Sequence, residues 1–214
     1  MTLALLTIFC TSFVIALSGA LMPGPLLTVT ISESSKRGAM SGPMMIFGHS
    51  VLELVLLLAL LSGLAPLLVR DDVFIAISLA GGAVLLWMGV SMFRSIPGLK
   101  LESTASVGKQ RNLFIAGIVL SAVNPYWLIW WASIGLGYIL YSLKFGLLGV
   151  TAFFLGHILA DLAWYALISI GVAKGRQFLS DSVYRGLITC CSLFLILFSC
   201  YFFFSGVDKL VTIA

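Results

Sequence analysis

The sequence is short of charge. Only twelve Lys or Arg and eight Asp or Glu occur in 214 residues, or 9% of the chain, whereas 61% is hydrophobic and the mean hydropathy is +1.15. So few charges cannot cover the surface of a water-soluble domain of this size. The chain is therefore an integral membrane protein, its first expected partner is the lipid bilayer, and nucleic acid is not an expected partner.

Cysteine is scarce as well. The four thiols (Cys10, Cys190, Cys191 and Cys200) all lie in apolar runs, and no two of them have the Cys-x-x-Cys spacing of zinc or dithiol sites. The His-Glu-x-x-His pattern of zinc proteases does not occur either. The sequence therefore predicts that the protein is not an enzyme and has no resident metal or cofactor.

Long apolar runs are abundant, and they have the length of membrane-crossing helices rather than the alternating ten-residue pattern of an outer-membrane barrel. They predict an all-α polytopic fold with six transmembrane helices, at residues 3–31, 39–69, 73–93, 113–141, 145–172 and 187–206. Polar loops are predicted between them at 32–38 (SESSKRG), 94–112 and 173–186.

Two of the spans are broken by proline. Met22-Pro23-Gly24-Pro25 interrupts the first span, and Asn124-Pro125 interrupts the fourth. Proline has no N–H to donate, so the carbonyls of Gly19, Leu21 and Ser121 are predicted to lose their helical partners. Such a break is tolerated at membrane depth only where protein or a water-filled cavity satisfies the backbone. The helix that follows each break directs free N–H groups and a positive dipole end toward it.

A short motif occurs twice. Residues 47–54 are FGHSVLEL and residues 155–162 are LGHILADL, so Gly-His-x-x-x-acid-Leu appears in the second span and again in the fifth. Residues four apart share one face of a helix, which places His49 beside Glu53 and His157 beside Asp161. The repeat predicts two one-sided polar patches inside otherwise apolar spans.

The breaks and the motif divide the chain into a first three-helix repeat (1–93), a cytoplasmic linker (94–112) and a second three-helix repeat (113–214). Because each repeat has three spans, the second enters the membrane from the opposite side, as in the inverted repeats of many secondary transporters. Transporters of this plan bind substrate near the bilayer midplane, at discontinuous helices between the repeats. The two breaks therefore predict a midplane site.

Glu53 and Asp161 lie at membrane depth with no Lys or Arg in a neighbouring span. A charged acid there costs about 2.5–3.5 kcal/mol, which makes it a functional candidate. Burial favours the neutral carboxyl and suits a proton carrier, although a carboxyl bonded to its histidine as packing is an open alternative. The histidines fit a proton relay, half of a metal site, or core packing. Aromatic residues that are candidates for a substrate pocket or for packing are Tyr126, Trp127, Trp130, Trp131, Trp164 and Tyr165.

Basic residues are unevenly distributed over the loops. Nine fall on the first, third and fifth loops (Lys36, Arg37, Arg94, Lys100, Lys109, Arg111, Lys174, Arg176 and Arg185), and three fall elsewhere (Arg70, Lys144 and Lys209). Lys and Arg concentrate on cytoplasmic loops of membrane proteins. The loops at 32–38, 94–112 and 173–186 are therefore predicted to be cytoplasmic, with the N- and C-termini outside.

Together these features resemble the lysine exporter and homoserine/threonine exporter (LysE/RhtB) family of bacterial and archaeal amino-acid exporters. The resemblance covers nearly the whole chain and is carried by Pro23-Gly24-Pro25, Gly38, Gly42, Glu53, Asn124-Pro125 and Asp161. It implies a multi-pass protein of the prokaryotic cell membrane and export driven by the proton gradient. Two features depart from the family pattern: Tyr126 stands where similar proteins have Lys, and the paired histidines are not typical of members.

The resulting hypothesis is a secondary active exporter of a small solute, an amino acid, by proton antiport. The candidate substrate-binding residues are Pro23, Gly24, Pro25, Asn124, Pro125, Glu53 and Asp161, and the candidate proton-coupling residues are Glu53, Asp161, His49 and His157. The alternative is a divalent metal-ion exporter, because the two histidines and two acids form a set of nitrogen and oxygen ligands. Association of two copies as a homodimer is a further candidate.

Overall fold

The computed structural model describes residues 1–68, 70–99, 112–175 and 180–213. Every regular element in these ranges is a helix. Five helices are long and apolar enough to cross a membrane, and a bent pair of shorter helices provides a sixth span. The prediction of an all-α polytopic membrane protein is confirmed.

The helices follow the predicted spans, with shifted ends. Before the linker lie α1 (Thr2–Ala20), α2 (Pro25–Arg37), α3 (Ser41–Ala59), α4 (Ala65–Leu68) and α5 (Asp71–Ser95); a π-helical stretch, Leu60–Leu64, joins α3 to α4, and a 3₁₀ turn, Ile96–Gly98, follows α5. After the linker lie α6 (Leu113–Ala122), α7 (Pro125–Trp130), α8 (Leu136–Leu143), α9 (Gly146–Gly175) and α10 (Asp181–Ile213), with a π-helical stretch, Trp131–Gly135, between α7 and α8.

The predicted loop at residues 32–38 is wrong, because residues 32–37 form the last turns of α2. Glu33 and Ser34 are buried there although the run is polar. The Ser34 hydroxyl donates to Ser169 Oγ of α9 at 2.8 Å, and the Glu33 carboxylate pairs with Arg37 Nε at 2.8 Å. The helix ends at Gly38, whose φ of 87° suits glycine. A polar side chain with a partner on a neighbouring helix can thus be buried even where the sequence pattern predicts an exposed loop.

The other two predicted loops lie partly outside the described residues. Residues 94–98 extend α5 and its 3₁₀ turn, whereas 100–111 of the linker are not among the described ranges. Residues 173–175 end α9 and 181–186 begin α10, with 176–179 outside the described ranges. The cytoplasmic location of all three segments and the orientation of the termini stay predictions.

The spans pack in pairs that join the two parts of the chain. The most extensive contacts are those of α1 with α9, α3 with α6, and α5 with α10, and α2 packs mainly on α9 and α3. Residues 1–93 and 113–214 are therefore interleaved in space. Their division into two repeats stays a prediction.

Glycines set the closest helix contacts. A Cβ on Gly48 would overlap the carbonyl of Phe114, and a Cβ on Gly156 would overlap the carbonyl of Phe9. The α3–α6 and α1–α9 pairs therefore approach backbone to backbone at these two residues. Each glycine directly precedes a histidine of the repeated motif. Close backbone contacts thus lie next to both histidines and help to fix their positions.

Candidate functional site

Both proline breaks separate two helices, and the second bends the chain by 65°. Two of the three carbonyls predicted to be unpaired have partners. Gly19 accepts from the Met22 N–H at 3.1 Å, and Ser121 accepts from the Asn124 N–H at 3.0 Å. The last turn of each helix tightens to a bond between residues three apart, which satisfies these oxygens without solvent.

The two breaks lie next to each other. From α7, the Tyr126 hydroxyl donates to the Ser18 carbonyl at 3.3 Å, and Trp130 Nε1 donates to Ser18 Oγ at 3.2 Å. A Cβ built on Gly24 would lie 3.9 Å from Asn124 Nδ2. The end of α1, the start of α2 and the start of α7 therefore meet in one region.

The helices that begin after the two breaks, α2 and α7, differ in how their first N–H groups are hydrogen-bonded. The side chain of Asn124 accepts from the Tyr126 N–H at 3.2 Å, so it caps α7. The N-cap residue of α2 is Gly24, which has no side chain to do the same. The α2 start therefore keeps the free N–H groups that an anion can bind.

The residues of the repeated motif form one buried cluster. The Glu53 carboxylate lies between the two imidazoles: its Oε1 is 3.0 Å from His49 Nε2, and its Oε2 is 3.0 Å from His157 Nε2. Asp161 Oδ2 is farther away, at 3.6 Å from His49 Nε2 and 3.4 Å from His157 Nε2. All four residues are buried, and Glu53 is only 1% exposed. The structure thus brings both histidine and acid pairs together.

Two indoles complete the coordination of Glu53. Trp127 Nε1 donates to Glu53 Oε1 at 2.9 Å, and Trp131 Nε1 donates to the same oxygen at 2.8 Å. Hydrogen bonds to an ionised acceptor are about twice as strong as neutral ones, so the two indoles are well placed to hold a carboxylate. Sequence reasoning found these tryptophans only as candidates for a substrate pocket or for packing. The missed signal is their spacing of four, which places both indoles on one face just after the second break.

The proton positions on His49 follow from its neighbours. The Ser121 hydroxyl donates to the Gly117 carbonyl at 2.8 Å, so its oxygen is left to accept from His49 Nδ1 at 2.7 Å. This assigns a proton to Nδ1. Because Nε2 is 3.0 Å from a carboxylate oxygen, a second proton there replaces a repulsive contact with an ion pair. His49 is therefore placed to donate to both Ser121 and Glu53.

Asp161 is the less constrained acid. Its Oδ2 is buried, and its contacts with the two imidazoles are longer than the 3.0 Å contacts of the Glu53 oxygens. The two imidazole nitrogens nearest to it lie beyond ordinary hydrogen-bond length. Because a buried polar atom without a partner is costly, this oxygen is suited to take up a proton or a cationic group.

The cluster and the breaks share one cavity of about 70 Å³, which is partly open to the outside. Pro23, Gly24 and Asn124 line it, whereas Pro25 and Pro125 are buried and do not line it. Its other lining residues are Ala16, Gly19, Ala20, Met22, Leu26, His49, Glu53, Leu85, Ser121, Tyr126, Trp127, Trp130, His157, Asp161, Tyr165, Phe194, Leu195 and Phe198. A small solute in this cavity can therefore contact both breaks and both acids.

Part of the cluster can also hold a cation. Ligand atoms of His49, Glu53 and Asp161 all lie within 4.8 Å of one another. One imidazole nitrogen and two carboxylate oxygens are a ligand set that divalent transition metals accept.

Comparison with known proteins agrees with this architecture. Residues 17–206 match the family described as LysE type translocator. The chemotactic transduction protein ChpE of Pseudomonas aeruginosa is 29% identical over 169 residues, which cover 75% of this chain and 79% of that protein. No solved structure matches the chain. The match spans nearly the whole bundle, including both breaks and both copies of the motif, and the chain belongs to the LysE type translocator family.

Proposed function

We propose that the protein is a secondary active exporter that exchanges a small amino acid for protons across the cell membrane. One observation carries the proposal: both broken spans and both motif acids line a single cavity inside the bundle. Discontinuous helices around buried acids are the usual substrate and coupling site of secondary transporters.

Asp161 is the exchange group of the proposed cycle. Its buried Oδ2 is not hydrogen-bonded to any described residue and borders the cavity. When the cavity is open to the cytoplasm, ionised Asp161 binds the ammonium group of the substrate. When the cavity is open to the outside, a proton binds the carboxylate and displaces the ammonium, and that proton later leaves to the cytoplasm. One carboxylate thus couples outward substrate movement to inward proton movement.

Glu53 is the anchor in this mechanism. It stays ionised because two indoles and the cationic His49 donate to it, and it also lies 3.0 Å from His157. It therefore joins α3 and α9 to the helix that follows the second break. His49 and His157 lie between the two acids and provide the path by which a proton reaches or leaves Asp161.

The carboxylate of the substrate binds at the start of α2. That end has no side-chain cap, and Gly24 and Leu26 of this segment line the cavity. The amide nitrogen of Asn124 lies beside Gly24 and offers a further donor. The equivalent end of α7 is the weaker candidate, because the Asn124 side chain already occupies the Tyr126 N–H.

The packing of the spans supports a midplane site between two inverted repeats. Exchanging the first three spans with the last three turns the α1–α9 pair into the α6–α3 pair and leaves α5–α10 paired with itself. The close glycine contacts are related by the same exchange, since Gly156 lies in the α1–α9 contact and Gly48 in the α3–α6 contact. An inverted repeat predicts this pairing.

A flux assay in proteoliposomes with an imposed pH gradient tests the proposal. We expect wild-type protein to move a labelled amino acid against the proton flow, and we expect Asp161→Asn to abolish the response to the gradient. Asp208→Asn is the matched control, because Asp208 is exposed near the end of α10. Flux that is unchanged in a double Glu53→Gln, Asp161→Asn variant contradicts the mechanism.

A divalent metal ion is the second candidate substrate, favoured by the His49, Glu53 and Asp161 ligand set. The same vesicles distinguish the two functions when they are loaded with a fluorescent metal indicator. Gradient-driven movement of Zn²⁺ or Mn²⁺, with no movement of amino acids, would establish the metal function in place of the amino-acid function.

A further inference from the structure

An aromatic wall lines the cavity together with the acids. It consists of Tyr126, Trp127 and Trp130, which belong to α7, and Phe194 and Phe198 of α10. Tyr126 meets Phe198 edge to face with ring centroids 5.4 Å apart, and Phe194 stacks on Phe198 at 4.9 Å. The wall therefore joins the second break to the sixth span as one apolar surface.

The polar side-chain atoms of this wall already donate hydrogen bonds within the protein. The Tyr126 hydroxyl donates to the Ser18 carbonyl, Trp130 Nε1 donates to Ser18 Oγ, and Trp127 Nε1 donates to Glu53. Neither phenylalanine carries a polar atom. A substrate side chain that contacts the wall therefore meets hydrocarbon ring surfaces and no unused donor among these five residues.

The charges of the cavity suit a substrate with a single cationic group. Glu53 and Asp161 are its acids, and within the described ranges no Lys or Arg lines it. Glu53 is committed to its indole and imidazole partners, so only Asp161 can pair with an ammonium. A basic side chain on the substrate would bring a second positive charge without a counter-ion, which is costly in a buried site.

We propose that the transported amino acid has a bulky, uncharged, apolar side chain of the leucine or phenylalanine kind. Its ammonium binds Asp161 and its side chain packs on the aromatic wall. The inference rests on the proposed function and narrows its substrate class. A hydroxylated side chain is disfavoured because its oxygen would lose water at the wall without gaining a partner, and a basic one because its charge would be unpaired.

Competition in the proteoliposome assay tests the inference. Labelled phenylalanine is the transported probe, and unlabelled leucine, threonine and lysine are the competitors. One methylene in an apolar pocket changes selectivity by roughly 10–200-fold, so we expect leucine to compete at least about tenfold more strongly than threonine or lysine. Competition by lysine or threonine that equals that of leucine overturns the inference.

Two variants of α10 locate the selectivity in the cavity. Phe198→Ala removes part of the wall, and we expect it to weaken competition by leucine about tenfold while threonine competes as before. Phe204→Ala is the control on the same helix, because Phe204 is 70% exposed on the outer face of the bundle. Phe194→Ala replaces Phe198→Ala if the latter does not give folded protein. Equal effects of Phe204→Ala and the wall variants overturn the assignment.

The failure of this inference is distinguishable from failure of the proposed function. Gradient-driven transport of lysine or threonine in preference to leucine refutes the apolar substrate class and leaves proton-coupled amino-acid export standing. Vesicles that move no amino acid in response to the gradient refute both.

Discussion

Replacing Glu53 with Gln tests whether the two motif acids have separate roles. The substitution keeps the shape and one acceptor oxygen for the indoles of Trp127 and Trp131, but it removes the charge that pairs with His49. Removing one partner of a buried ion pair costs about 3–5 kcal/mol. Asp161→Asn removes no short hydrogen bond from Asp161 Oδ2, so we expect its cost to stay within about 1 kcal/mol.

Thermal unfolding of the purified protein in detergent measures the difference. For a chain of this size about 1 kcal/mol corresponds to 2–4 °C in Tm. We therefore expect Glu53→Gln to lower Tm by about 6–20 °C and Asp161→Asn by less than about 4 °C. Transport is expected to change in the opposite order, with Asp161→Asn losing proton coupling while the protein remains folded.

A substitution of Trp131 tests the hydrogen bonds to Glu53 without changing any charge. Trp131→Phe keeps an aromatic ring in a fully buried site and removes only the N–H that donates to Glu53 at 2.8 Å. A hydrogen bond to a charged group contributes about 1.5–3 kcal/mol, so a Tm loss of about 3–12 °C follows. Trp87→Phe is the control, since Trp87 is 69% exposed. Equal Tm losses for Glu53→Gln and Asp161→Asn, or none for Trp131→Phe, would refute the assignment of Glu53 as the anchor.

Two further predictions concern packing and topology. Gly156→Ala should destabilise the protein by about 1–3 kcal/mol because the added Cβ overlaps the α1 backbone. Gly171→Ala on the same helix is the control, since its Cβ meets no atom within 4 Å and the change should be neutral or stabilising. Thermal unfolding compares the two variants, and equal losses of stability contradict the close contact. In a cysteine-free background, an impermeant thiol reagent added to intact cells should label Lys144→Cys and not Lys36→Cys. Both lysines are exposed, and the side of the membrane with more basic residues is predicted to be cytoplasmic. The reverse labelling pattern would show that the predicted orientation is wrong.

Hydropathy and proline chemistry are sufficient to predict most of this fold. Apolar runs of spanning length locate the helices, and a residue that cannot donate a hydrogen bond marks where a helix must end, so both breaks fall where the sequence predicts them. The last turns of α2 were mispredicted because sequence polarity cannot reveal a buried partner. Ser34 is buried only because Ser169 lies opposite it on α9, and that pairing depends on tertiary structure.

The residues of the site could be predicted from the sequence, but the different hydrogen bonding of its two acids could not. A spacing of four places each histidine beside an acid on its own helix, and that inference depends on local geometry alone. Which acid the indoles of α7 reach depends on the rotation of α7 about its own axis after the bend at Asn124. No periodicity in the sequence encodes that rotation. The repeat therefore suggests two equivalent acids, whereas the structure gives Glu53 the short contacts and leaves Asp161 without any.

That inequality makes a coupled exchange physically reasonable. An acid whose oxygens are already held by several donors has few acceptor sites left for an ammonium group, so it is poorly suited to exchange ligands. Asp161 has no short hydrogen bond to give up and lines the cavity, so an ammonium group or a proton can approach it. Glu53 and Asp161 lie on α3 and α9, and the 3.0 Å contact of Glu53 with His157 joins these two helices. The constrained acid can therefore hold the scaffold still while the free acid changes its ligand.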